Sequence, residues 1–90
     1  MSNVANITTL KVAAKFYNKL TMDRLLVNSS NIITVGYDVG ARILEVEFQS
    51  GKVYQYMDVP ENLYQALMAS ASKGQYFHDN VMNQYDFTEV

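Results

Sequence analysis

The strictest constraint on the fold is a five-residue alternation, Leu44-Glu45-Val46-Glu47-Phe48. Successive side chains of a strand point to opposite faces, so this run buries one face and turns Glu45 and Glu47 to the other. Gln49-Ser50-Gly51 and then Val53-Tyr54-Gln55-Tyr56 follow it, which predicts a hairpin. Two registers compete. A two-residue Ser50-Gly51 loop would pair Phe48 with Val53 and put both tyrosines on the glutamate face. A three-residue loop, with Gly51 left-handed in a bulge, pairs Phe48 with Lys52 and Val46 with Tyr54. The second is preferred, because it gathers Leu44, Val46, Phe48, Tyr54 and Tyr56 on one apolar face.

The remaining elements are read around this hairpin. Ile32 to Tyr37 is β-branched and aromatic and predicts a preceding strand, turned by Asp38-Val39-Gly40-Ala41. Residues 21–31, which include Asn28-Ser29-Ser30-Asn31, read as a connector. Pro60 suits the first position of a helix whose core stripe is Leu63, Ala66 and Leu67, flanked by Tyr64 and Met68. Ser72-Lys73-Gly74-Gln75 reads as a capping box that opens a second helix running to about Asn83. Tyr85 to Val90 reads as a short edge strand. Upstream, Leu10, Ala13, Ala14, Tyr17 and Leu20 recur at steps of three and four, the pattern of an amphipathic helix over 8–20, with Lys11, Lys15 and Lys19 in one stripe. The expected fold is α+β: an antiparallel three-stranded meander, two helices and a short C-terminal strand, with an N-terminal amphipathic helix. The expected division is a helical extension over 1–28 and a compact module over 29–90.

Ninety residues, 49% of them apolar and 12% aromatic, suffice for one core. The stability margin of so small a domain is thin, and a homo-oligomer interface would add to it. Without cysteine there is no disulfide, thiolate nucleophile or thiolate metal site. The first residues lack the pattern of a signal peptide, and no run approaches the roughly 20 apolar residues that span a bilayer. The expected setting is therefore cytoplasmic and away from membranes.

The sequence offers little to a catalyst. His78 is the single histidine, and Asp79 beside it diverges by about 100° on a helix, so the two do not jointly face one ligand. Glu45 and Glu47 share a strand face that could hold magnesium, but it reads as a solvated face. Gly36 and Gly40 read as turn glycines, without the spacing of a phosphate loop. The expectation is a non-enzyme with no cofactor and no metal.

Charge and tyrosine are the features left to explain. Residues 1–28 carry Lys11, Lys15, Lys19 and Arg24 against Asp23, a balance of +3, whereas residues 29–90 balance at −5. Seven tyrosines and no tryptophan give side chains with an apolar ring and a polar tip, suited to a core edge, an interface or a stacking platform. Two ligand classes follow. An unidentified protein partner would be anchored by Tyr64, Tyr76 and Tyr85. RNA or a small nucleotide would use Lys11, Lys15, Lys19, Arg24 and Lys73 for phosphates and exposed tyrosines for stacking, a role that Tyr54 and Tyr56 could take only if they were exposed, whereas the preferred register turns them toward the helices.

Several segments taken in order have a familiar look: Ser29-Ser30-Asn31-Ile32, Gly36-Tyr37-Asp38, Leu44 to Phe48, Ser50-Gly51, Val53-Tyr54-Gln55-Tyr56, Val59-Pro60 and Ser72-Lys73-Gly74-Gln75-Tyr76-Phe77. Together they resemble the KTSC domain, named for an extension at the C-terminus of some lysyl-tRNA synthetases. The resemblance covers about residues 29–90 and implies a small bacterial or phage module with a central Tyr-x-Tyr, matched by Tyr54 and Tyr56. It carries over no catalytic residue, and its synthetase attachment implies RNA as one ligand class. The acidic balance of residues 29–90 favours a protein partner instead, and that is the leading expectation.

Overall fold

The computed structural model describes residues 22–90. Five strands form one antiparallel sheet in chain order: β1 (Arg24–Leu26), β2 (Ile32–Asp38), β3 (Ile43–Phe48), β4 (Val53–Tyr56) and β5 (Phe87–Glu89). Two helices, α1 (Glu61–Ala69) and α2 (Lys73–Asn80), lie between β4 and β5 in the chain. The expected helix over 8–20, with Lys11, Lys15 and Lys19, lies outside the described residues.

The hairpin adopts the three-residue register. Val46 pairs with Tyr54 and Leu44 with Tyr56, while the Phe48 amide donates to the Lys52 carbonyl at 2.9 Å. Gly51 has φ +95°, a left-handed conformation that glycine enters without a Cβ penalty. Leu44, Val46 and Tyr56 therefore share the inner face, with Phe48 and Tyr54 at its margin.

That face makes the core. Ile32, Val35, Leu44, Val46, Tyr56, Val59, Leu67, Phe77 and Val81 are buried together. Phe77 of α2 meets Phe48 and Tyr56 edge-on, with ring centroids 5.5 and 5.2 Å apart. Such pairs add to simple area burial. A register shift between Ile32 and Thr34 marks a bulge that brings both Ile32 and Val35 to the inner face.

Several expectations need correction. The meander has four strands rather than three: part of the presumed connector, Arg24–Leu26, pairs with the outer edge of β2, and β5 closes the opposite edge on β4. Three residues are too few for a periodic signal, so β1 is set by the open edge of β2 rather than by its own pattern. Gly36 is no turn glycine but the buried centre of β2, where a Cβ would fall 2.6 Å from the Asp23 carbonyl oxygen and 2.7 Å from Arg24 Cγ. Pro60 is the residue before α1 rather than its first turn. Ala66 is exposed, because the buried face of α1 runs from Leu63 through Leu67 toward Tyr64 and Met68. Ser72 caps α2 by accepting from the Gln75 amide at 3.4 Å, but the Gln75 side chain turns forward and donates to Asp79 Oδ1 at 2.9 Å. Helix α2 stops at Asn80, and Asn83 follows in a turn with φ +65°.

Candidate functional site

Two segments separated by about forty residues of sequence, Asn28 to Asn31 and Ala71 to Gln75, face each other and, with His78, line a polar cleft of about 530 Å³. On one side, Ser29 Oγ accepts from the Asn31 and Ile32 amides at 3.4 and 3.3 Å and donates to Asn31 Oδ1 at 3.2 Å. The Gln49 amide donates to the Asn31 carbonyl at 2.9 Å and ties this loop to the β3–β4 hairpin. On the other side, the Ser70 hydroxyl bridges the Ser72 amide and carbonyl, and Lys73 Nζ donates to the Ser70 carbonyl at 3.0 Å. The Lys73 and Gly74 amides belong to the first turn of α2, where backbone N–H groups have no intrahelical acceptor.

The two sides touch at Gly74. A Cβ there would lie 2.7 Å from Asn31 Oδ1 and 3.3 Å from Ser29 Oγ. Glycine at this position lets the Asn31 side-chain amide rest against the start of α2.

A second hollow of about 340 Å³ adjoins the first. It is lined by Asn31, Phe48, Gln49, Ser50, Lys52, Tyr54, Tyr56 and Met82 and is predominantly aromatic and apolar, and Asn31 borders both depressions. No acid lines either one, although residues 22–90 hold nine acids against four basic residues. Two of those four, Lys52 and Lys73, are here.

The sequence-derived site residues divide accordingly. Tyr54 and Tyr56 line the aromatic hollow, and Tyr56 is 4% exposed, a core ring with one edge at the groove. Burial, followed by the charge of Tyr54, pushes the Tyr56 phenol up to about 12. Lys73 lines the polar cleft. Tyr64 lies elsewhere, stacked on Tyr37 with centroids 4.9 Å apart and planes at 11°, and the Tyr37 hydroxyl donates to the Val59 carbonyl. Tyr76 and Tyr85 are half-buried against the core, Tyr85 beside a separate hollow at residues 83–87. Arg24 is on the far face of the sheet, 3.4 Å from the carboxylate of Glu45.

That pairing corrects the reading of Glu45 and Glu47 as a solvated face. Glu45 is 0% exposed and accepts from Gln55 Nε2 at 2.8 Å, while Glu47 accepts from the Thr34 hydroxyl at 3.0 Å. His78 and Asp79 meet at 3.3 Å despite their divergence along the helix, but only His78 lines the cleft. Among the described residues no cluster of three or more metal-ligating side chains occurs, and no helix is long and apolar enough to cross a membrane.

Ser29, Ser30, Asn31, Gly74 and Gln75 entered the sequence reading as parts of a connector, a capping box and the resemblance, not as site residues. Their spatial convergence was the missing information. Residues 28–85 match the family model of the KTSC domain. The chain belongs to the KTSC domain family. The KTSC region is 44% identical over 57 residues to an uncharacterized protein of Stutzerimonas stutzeri, covering 63% of this chain and 80% of that protein. It is 35% identical over 54 residues to a lysine–tRNA ligase of a Nostoc species, covering 60% of this chain and 10% of the ligase. A crystal structure of a KTSC domain protein from Yersinia pestis superposes with a TM-score of 0.75 at 36% identity, covering 78% of this chain and 99% of that one. The KTSC domain is a module of unknown function, so the cleft rests on its geometry.

Proposed function

We propose that this KTSC domain is a non-enzymatic, cytoplasmic binding module whose ligand is a segment of another protein, seated along the polar cleft and the aromatic hollow. The observation that carries the reading is the position of Asn31 on the border of both depressions. A peptide presents a polar backbone and apolar side chains side by side, and the two hollows offer complementary surroundings for them. Donors in the first turn of α2 and the Ser29 to Asn31 loop serve the polar part. Phe48, Tyr54 and Met82 receive an apolar side chain, with Lys52 at the rim. Aromatic anchors in pockets of this kind dominate binding energies.

RNA is the second reading, favoured by one observation: Lys52 and Lys73 line an acid-free surface that includes Tyr54. The relatives named as lysine–tRNA ligases add to it by association. Against it stands the excess of five acids over bases in residues 22–90, since phosphate binding needs clustered cations.

The test uses the full chain and its Ser30→Trp variant, which fills the cleft from an exposed position. The expected result is a protein captured stoichiometrically from bacterial lysate by the parent chain and at least tenfold less by the variant. Equal capture by both chains, or tight salt-sensitive binding of tRNA with no protein captured, contradicts the reading.

A further inference from the structure

Granted the binding role proposed above, on which this rests, we infer that the protein segment seated along the cleft and the hollow is acidic: one large apolar side chain for the hollow, with carboxylates beside it for Lys52 and Lys73. The charges of the domain are sorted by place. Residues 22–90 hold nine acids and four basic residues, yet the lining of the two depressions contains two of those four and no acid. Such a surface attracts an anionic group that the rest of the domain repels, and so selects its partner by charge.

Neither lysine is matched within its own chain. Arg24 is held 3.4 Å from the Glu45 carboxylate, whereas among the described residues neither Lys52 nor Lys73 forms an ion pair. Lys73 Nζ donates to the Ser70 carbonyl at 3.0 Å, which uses one of its three hydrogens and anchors the ammonium at the cleft wall. Asp79 follows the lining residue His78 but stays out of the lining, and its Oδ1 is engaged by Gln75 Nε2 at 2.9 Å and His78 Nδ1 at 3.3 Å. A carboxylate of the ligand supplies the countercharge that the domain does not.

The apolar half of the surface sets the anchor. Phe48, Tyr54 and Met82 line the hollow together with Lys52, and Asn31 borders both depressions. A side chain seated among these rings therefore brings its chain neighbours to Lys52 on the hollow's own rim and, past Asn31, to the cleft of Lys73. Two lysines match one or two carboxylates, but they are too few to hold a polyanion against the excess of five acids over bases in residues 22–90. The upstream residues 1–21, with three lysines and no acid, have the wrong sign for this ligand.

The experiment is selection of random phage-displayed peptides on the full chain, followed by titration of the enriched peptides as synthetic probes. The expected result is enrichment of peptides with a large apolar residue flanked by Asp or Glu. Lys52→Glu and Lys73→Glu should each weaken them about tenfold, most at low salt, while Arg42→Glu, the same charge change in the β2–β3 turn, leaves them unaffected. Enriched peptides that are neutral or basic, yet still blocked by Ser30→Trp, overturn this inference and leave the binding role standing. No enrichment, or peptides bound equally by the Ser30→Trp variant, overturns both. Acidic peptides indifferent to the two lysine changes, or weakened as much by Arg42→Glu, also overturn the inference, as does tighter binding of poly(U) than of any enriched peptide.

Discussion

A Cβ atom at residue 74 would stand 2.7 Å from Asn31 Oδ1, so the Asn31 side chain of the loop that opens β2 rests where a side chain at the start of α2 would otherwise be. The atom in the way is the end of an Asn side chain, which can swing aside. Gly74→Ala should therefore leave stability within about 1 kcal/mol of the parent, since a better helix former offsets the displaced amide. Its effect should fall on the cleft. The check is a pair of readouts, urea unfolding and the chemical shift of the Asn31 side-chain amide, with a large shift change and a small stability change expected.

Gly36 is crowded by backbone instead. The Asp23 carbonyl oxygen would lie 2.6 Å from a new Cβ and has no rotamer to retreat into. Gly36→Ala should destabilise by about 1–3 kcal/mol through displacement of β1. Gly40→Ala, where the nearest atom is Asp38 Oδ1 at an ordinary 3.6 Å, should be near neutral. Chemical denaturation of both variants makes the comparison, and equal effects would remove the role assigned to Gly36.

The absence of a side chain at Gly36 also lets Arg24 reach across β2 to Glu45 on β3. Arg24→Ala would leave a buried carboxylate that still accepts from Gln55 Nε2 but has lost its countercharge, and a loss of about 3 kcal/mol is expected. Pairing Arg24→Met with Glu45→Gln should restore most of it, because both charges are then gone. Equilibrium unfolding of the single and double variants measures the difference.

Alkaline stability follows from Tyr56. Burial raises its phenol from the ordinary value of 10.0 to about 12, so the fold favours the neutral form. Its contribution is fully present below pH 10 and is lost as pH rises through about 12. Tyr37, also raised by burial, acts in the same direction. Tyr56→Phe keeps the ring and should flatten this part of the stability curve, read from urea midpoints across that range.

The readable parts of the fold were those whose signal is local. The alternation from Leu44 to Phe48 and the glycine at position 51 specified the hairpin and its register. Ser72 announced the start of α2. Strand β1 could not be read, because three residues carry no period and their pairing is decided by the free edge of β2. The burial of Glu45 was equally hidden, since the partner that neutralises it, Arg24, comes from two strands away. For the site, each half of the cleft was visible as a motif, and Tyr54 and Tyr56 were visible as an aromatic pair. That Asn31 joins them depends on tertiary distances that no spacing in the chain encodes.

The central claim is that the ligand occupies the cleft and the hollow that share Asn31. Hydrogen–deuterium exchange of the full chain, free and with its captured protein partner, tests it most directly. The account predicts slowed exchange over residues 28–31, 48–54 and 72–78 in the complex, with α1 unchanged. Slowing confined to β5, to α1 or to the open edge of β1 would contradict it.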